Sequence, residues 1–245
     1  IRTAAGNGMN WSTSDGTAEE GEILAENVAA ADLDIGFGTL PLPVYKYSSK
    51  TVAVPIELLQ DSAVDIEAFV RGRLVARLGR ITNKHFTIGT GSGQPNGIVT
   101  AATAGKVGTT GQTTTVIYDD LVDLEHSIDP AYREGGNCAF MMNDSSIKGL
   151  KKLKDTTGRP IFLPDYDINN NGKVDRILGY PVRTNQSVVV MAANAKSIMF
   201  GDLSKYVIRD AMMIEMLRFT DSAYAKKGQV GFLAFLRSGG NLMDV

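Results

Sequence analysis

The chain has 245 residues, of which 43% are apolar and 21% charged, and its formal net charge is −2. A chain of this length can bury a real core in one large lobe or two smaller ones. No apolar run nears the ~18 residues of a membrane span, none reads as a signal peptide, and the charge argues against a surface that grips nucleic acid through its phosphates.

Residues 1–21 are rich in Gly, Ser, Thr and Asn and read as a flexible or partner-ordered segment. Trp11 stands in it without periodicity. It either anchors in a neighbour's groove or packs back on its own lobe. From 22 to 54 the pattern is extended. Leu33, Ile35 and Phe37 alternate with Asp34, Gly36 and Gly38, and Tyr45 and Tyr47 alternate with Val44, Lys46 and Ser48. Period two predicts strands, and Pro41 and Pro43 push the piece between them to an edge or turn. The expected object is a long two-stranded ribbon. Such a ribbon is marginal alone in water, so it must lean on something. No other part of this chain is obviously waiting for it. Glu19, Glu20, Glu22 and Glu26 make its root acidic.

A short extended piece, Thr51-Val52-Ala53-Val54-Pro55, leads into a predicted helix over 62–87. Val70, Leu74, Leu78 and Ile81 recur at three or four residues and form one apolar face, which Ile66 and Phe69 extend. Asp61-Ser62 offers an N-cap, with Asp65 and Glu67 early in the helix. Arg73, Arg77, Arg80 and Lys84 form a narrow basic line beside the apolar face. At 1.5 Å per residue the helix runs about 35–40 Å, a spine along which a sheet can lie. Pairing of this basic line with the acidic root, between subunits, is one expectation; solvated charges on separate faces is the other.

A glycine-rich loop over 89–97 stops the spine, and a small polar linker over 101–115 leads to a domain boundary near 113–118. Asp119-Asp120 precede a helix with Leu121, Leu124 and Ile128 on one side, ended at Pro130. Cys138–Met142 reads as a buried strand. Asn143, Asp144 and Ser145 can cap a helix over 146–154 with Ile147, Leu150 and Leu153 inward and a lysine-rich outer face. Gly158-Arg159-Pro160-Ile161-Phe162 reads as a loop into a short strand, and further strand and turn pieces lie over 174–177 and 179–182. The runs at 197–202, 206–209, 212–218 and 230–237 are strand-like and are expected to form one long sheet on the spine. The chain opens on Ile1 instead of Met, so a processed, truncated or partly ordered product is expected; at Val245 it stops without turn or cap, so the C terminus is expected further on.

An ordered set of residues carries a resemblance. The helix entry holds Val54, Pro55, Glu57, Leu58, Leu59, Asp61 and Ser62. The exit holds Arg80, Phe86, Thr87, Gly89, Gly91, Gly93, Gln94, Pro95, Gly97, Ile98 and Val99. Asp155, Gly158, Arg159 and Pro160, the Ile177-Leu178-Gly179-Tyr180-Pro181-Val182 run, and Ile198-Met199-Phe200-Gly201-Asp202 follow in order. Together they resemble the major capsid proteins of tailed bacteriophages, the Hong Kong 97-type fold. The resemblance implies an α+β chain in four parts. Residues 1–54 are an N-terminal segment and extended β-hairpin loop, 55–115 a peripheral domain with the spine, 116–196 an axial α/β domain, and 197–245 return strands of the peripheral domain. It implies that the extended loop lies over the adjacent subunit. Some members join a loop lysine to a neighbour's asparagine; Lys46 and Lys50 lie on the right segment, and no asparagine is matched.

Chemistry is otherwise sparse. Asp167, Asn169, Asn171, Gly172 and Asp175 match the first half of a calcium loop, but Leu178 stands where a bidentate Glu belongs, so a polar hairpin tip is expected and no metal site. The 89–97 loop lacks a phosphate-binding Gly-Lys-Ser/Thr ending. His85 and His126, the two histidines, sit in no hydrolase or metalloprotease motif. Cys138 is alone in an apolar run and reads as a buried thiol.

The expected function is a non-enzymatic structural one, without cofactor. Implied by the resemblance is a capsid subunit that self-assembles into hexamers and pentamers of an icosahedral virion shell around double-stranded DNA, beside portal, scaffold or decoration proteins. Candidate inter-subunit contacts are Trp11, Glu22, Glu26, Tyr45, Lys46, Tyr47, Lys50, Arg73, Arg77 and Arg80. The alternatives are an encapsulin-like nanocompartment shell and, of another class, a small calcium-binding module or hydrolase.

Overall fold

A computed structural model describes residues 1–14, 19–161 and 176–244. In chain order the elements are β1 (Asn10–Thr13), β2 (Gly38–Pro41), β3 (Tyr45–Ser48), β4 (Val52–Pro55), α1 (Ile56–Asp61), α2 (Ile66–Ile88), α3 (Ile98–Ala101), α4 (Tyr118–His126), α5 (Pro130–Glu134), β5 (Cys138–Met142), α6 (Asp144–Leu150), β6 (Arg176–Ile177), β7 (Tyr180–Thr184), β8 (Ile198–Asp202), β9 (Tyr206–Phe219), α7 (Ser222–Ala225) and β10 (Gln229–Leu242).

The spine is α2. It starts four residues later than the spacing predicts because Asp65, not Asp61 or Ser62, caps it: the Asp65 carboxylate accepts from the Ala68 amide at 2.9 Å. The stretch ahead of it, Ile56–Asp61, is a separate short helix. Val70, Leu74 and Leu78 are buried along the inner face of α2, with Ile66 and Ile81 partly buried beside them. Phe69, expected to extend that face, points outward at 59% exposure. At 1.5 Å per residue the 23-residue helix is about 35 Å long.

The sheet under the spine is built on β10. One edge of β10 pairs antiparallel with β9 along most of its length. The other edge takes two short strands end to end: β4 on Gln229, Val230, Gly231 and Phe232, and β3 on Phe235, Leu236, Arg237 and Ser238. Val230, Phe232 and Ala234 project from β10 into the core with Tyr47, Val54 and the spine leucines. Alternation along β10 and a 3.6-residue stripe on α2 therefore meet face to face. This corrects the expected ribbon. Tyr45, Lys46 and Tyr47 belong to the subunit's own sheet, where Tyr47 is 6% exposed, and the paired ribbon is only β1 against β2.

The second lobe is a sheet of order β6-β7-β5-β8, with β5 parallel to β7 and antiparallel to β8. The five residues of β5 are all buried, which is why they read as a continuous apolar run. Phe140 and Met142 pack with Leu121 of α4 and with Ile147 and Leu150 of α6. Met141 faces the opposite way, against Ile98, Val99, Val188 and Leu242, and this third cluster joins the lobes. The run at 197–202, expected in the long sheet, is the edge strand β8 of this second one. Asn143 caps α6 through the Ser145 amide at 3.0 Å, but α6 ends at Leu150, short of the expected 154. Proline at the first position of α5 begins a helix where the spacing predicted only an end.

Candidate assembly surfaces

Residues 19–37 form an arm. Among the described residues it joins no strand or helix, and every position from 19 to 37 is exposed. Ile23 is fully exposed, Phe37 is 76% exposed and Leu33 67%. Leu24, Val28 and Ile35 are also open to solvent. Its few internal bonds are local: the Ala31 amide donates to the Glu22 carboxylate at 2.5 Å, and the Val28 amide to the Ala25 carbonyl at 3.3 Å. The alternation of Leu33, Ile35 and Phe37 that predicts a strand is present, but no strand among the described residues pairs with it.

The arm's root is built. In the β1–β2 ribbon Trp11 pairs with Leu40 and remains 36% exposed. Beyond β2, Leu42 is fully buried and its amide donates to the Met9 carbonyl at 2.8 Å. Arg209 of β9, 3% exposed, reaches the same place.

The outer face of the spine carries Arg73, Arg77, Arg80 and Lys84, all exposed. The Arg73 guanidinium lies 5.6 Å from the centre of the Phe69 ring, so a cation and an exposed aromatic share one patch. Among the described residues no ion pair joins this line to Glu19, Glu20, Glu22 or Glu26; Arg71 pairs with Glu67 one turn away, at 3.9 Å.

A polar joint holds the spine to the second lobe. Asn83 donates to the Asn185 side-chain oxygen and to the Ser187 hydroxyl, both at 3.0 Å, while Asn185 donates to the Thr87 hydroxyl at 2.9 Å. Tyr206 donates to the Asn96 carbonyl at 2.9 Å, and Asn96 to the Asn241 side chain at 3.1 Å, so the 89–97 loop is pinned to both long strands. Sequence spacing could not reveal these pairs, since their partners lie about a hundred residues apart or more.

The described residues contain no group of three or more His, Cys, Asp or Glu side chains able to hold a metal. The calcium-like run at 167–175 lies outside the described residues. A cleft of about 1000 Å³ sits beneath the 102–116 loop, walled by Leu121, Leu124, Ile128, Phe200 and Leu242, and neither histidine lines it. Burial raises the Cys138 thiol above its ordinary pKa, the reverse of an activated nucleophile. Among the described residues no helix is long and apolar enough to cross a membrane.

The described residues thus form an exposed apolar arm, a spine with a sheet along it and a second α/β lobe. The sequence profile of the Phage capsid family matches residues 1–245. The chain belongs to the phage capsid family. No curated protein matches the sequence. Among solved structures, the capsid of a native GTA particle is 25% identical with a TM-score of 0.82, over 100% of this chain and 84% of that one. The capsid of an empty GTA particle is 26% identical with a TM-score of 0.79, over 100% and 83%. A chain from Microbacterium phage Oxtober96, 16% identical with a TM-score of 0.68 over 99% and 82%, shares the fold.

The capsid protein is thus a structural subunit of the virion shell, with the α+β fold of Hong Kong 97-type capsids, and not an enzyme. That retires the hydrolase alternative. Of its candidate contacts, Trp11, Glu22, Glu26, Arg73, Arg77 and Arg80 lie on exposed surface. Lys46 stands over the Phe235 ring, 4.1 Å from its centre, in the subunit's own sheet. Lys50 is exposed at a turn with φ of 61°. Tyr45 and Tyr47 are spent on the spine core.

Proposed function

We propose that the capsid protein builds its shell by laying residues 19–37 over the next copy, in hexamers and pentamers that close around double-stranded DNA without reading its sequence. The observation that carries this is the row of exposed apolar side chains on the arm, which one subunit leaves unburied. An exposed apolar patch of this kind marks an interaction surface. The acidic residues Glu19, Glu20, Glu22 and Glu26 face the neighbour's Arg73, Arg77, Arg80 and Lys84. Each exposed pair contributes only about 0–1 kcal/mol, so they set register more than strength. Trp11, on the ribbon at the arm's root, is placed to follow the arm onto the neighbour.

Many modest interfaces favour correction of errors during closure, and overlap of arm on neighbour makes the lattice cooperative. Portal, scaffold and decoration proteins are the further partners. The test is negative-stain microscopy of the purified protein, intact and with residues 19–37 replaced by a Gly-Ser linker. The intact chain forms closed particles and the replaced chain stays as free, folded subunits. Particles from both chains overturn arm overlap. Particles that never enclose nucleic acid, even from the native source, favour the nanocompartment reading.

A further inference from the structure

Arg209 is a buried cation, and among the described residues no carboxylate is hydrogen-bonded to its guanidinium. Its Nη1 donates to the Asn7 carbonyl at 2.8 Å and the Leu42 carbonyl at 3.0 Å, its Nη2 to the Ala5 carbonyl at 3.0 Å, and its Nε to the Thr3 hydroxyl at 3.1 Å. The neighbouring Asp210 carboxylate is engaged elsewhere, accepting from the Ser238 hydroxyl at 2.6 Å. A charge taken out of water and left to three main-chain carbonyls and one hydroxyl stays buried only while those four oxygens are in place. Three of the four belong to residues 3–7, and the fourth belongs to Leu42, the point where the arm's return strand enters the body.

The first residues are laid along β9 like a docked peptide. The Thr3 amide donates to the Asp210 carbonyl at 2.9 Å and the Asp210 amide to the Ile1 carbonyl at 2.8 Å. Leu42 is also tied to the chain just past that segment, through the Met9 carbonyl. Two passages of chain about 35 residues apart are thus satisfied by one side chain.

We propose that Arg209 is a coupling latch: docking of residues 1–7 on β9 fixes the root of the arm, and release of either loosens the other. Coupling of this kind is reciprocal by linkage. A neighbour that captures the arm weakens the hold on residues 1–7, and a partner that strips residues 1–7 frees the arm to swing. The latch rests on the geometry of one subunit and stands whether or not the arm lies over a neighbour.

Hydrogen exchange on the free subunit tests it. In Arg209→Met the amides of Thr3 and Leu42 both exchange faster, by roughly tenfold or more, the scale of one hydrogen bond to a charged group. The amides of Val230 and Phe232 stay protected and report that the fold is intact. If Arg209→Met unfolds the chain, removal of residues 1–7 with Arg209 intact serves in its place, and Leu42 must again exchange faster. Acceleration at Thr3 alone in Arg209→Met, or an unchanged Leu42 in the truncated chain, overturns the latch.

Discussion

Asn83 of the spine and Asn185 of the second lobe are hydrogen-bonded side chain to side chain at 3.0 Å, and Asn185 also donates to Thr87, one turn further along the helix. The two lobes are therefore held in register by neutral amides and a hydroxyl that satisfy one another. Removing one member leaves its partners facing a gap. Asn185→Ala is expected to cost about 1–3 kcal/mol. Urea unfolding of the free subunit measures it, and an unchanged midpoint would argue that the joint is not what holds the lobes.

The two faces of the spine are expected to answer differently to truncation. Leu78 is fully buried, and Leu78→Ala should lower subunit stability by about 2–5 kcal/mol. Phe69 is exposed, and Phe69→Ala should stay within about 0.5 kcal/mol of the parent in the free subunit. Its effect is expected in assembly instead, read as the fraction of protein that sediments as particles. A large loss of subunit stability in Phe69→Ala would place that ring in the subunit's core.

His85 packs its ring 5.6 Å from that of Tyr47, and its Nδ1 is buried without a hydrogen-bond partner among the described residues. Burial, and then Lys84 beside it, hold His85 below the ordinary histidine pKa. The unfolded chain therefore binds the proton more readily than the folded one. Stability from the neutral ring is complete above about pH 6.5 and is lost as pH falls toward the lowered folded value. His85→Gln should flatten that acid limb of a stability–pH curve. An identical acid limb in the variant would assign it to other groups.

Tyr47 shows the opposite limb. Burial, and then Tyr45, raise its phenol to about 12, against an ordinary value near 10. The unfolded chain loses this proton first, so stability should fall as pH rises from about 10 to 12. Tyr47→Phe removes both the titration and an unpaired buried hydroxyl. A spectroscopic phenol titration in which Tyr47 ionises with the exposed tyrosines would contradict its burial.

Much of this fold is legible in the sequence because its periodic elements are long. The Val70, Leu74, Leu78 stripe and the buried run of β5 are local patterns, and local patterns survive without knowledge of partners. Helix ends were less legible, since Asp61, Ser62 and Asp65 are all acceptable caps and only packing selects Asp65. Strand partners were least legible. Tyr45 and Tyr47 alternate in the same way whether they form a free ribbon or an edge of β10, and nothing local states which strand Ile198 will join. Arg209 was missed for the same reason: its acceptors at Thr3, Ala5, Asn7 and Leu42 lie more than 160 residues away. The pattern over 22–54 reads as one ribbon without a home on its own subunit, yet its second half, Tyr45–Ser48 and Val52–Pro55, joins β10, and only the stretch up to residue 37 stays exposed and outside any strand.

The most direct measurement is limited proteolysis across residues 19–37, run in parallel on free subunits and on assembled particles. Rapid cutting of the free subunit and protection in the particle is the expected result. Equal cutting in both states, or an arm already protected in the dilute free subunit, would contradict its transfer to a neighbouring copy.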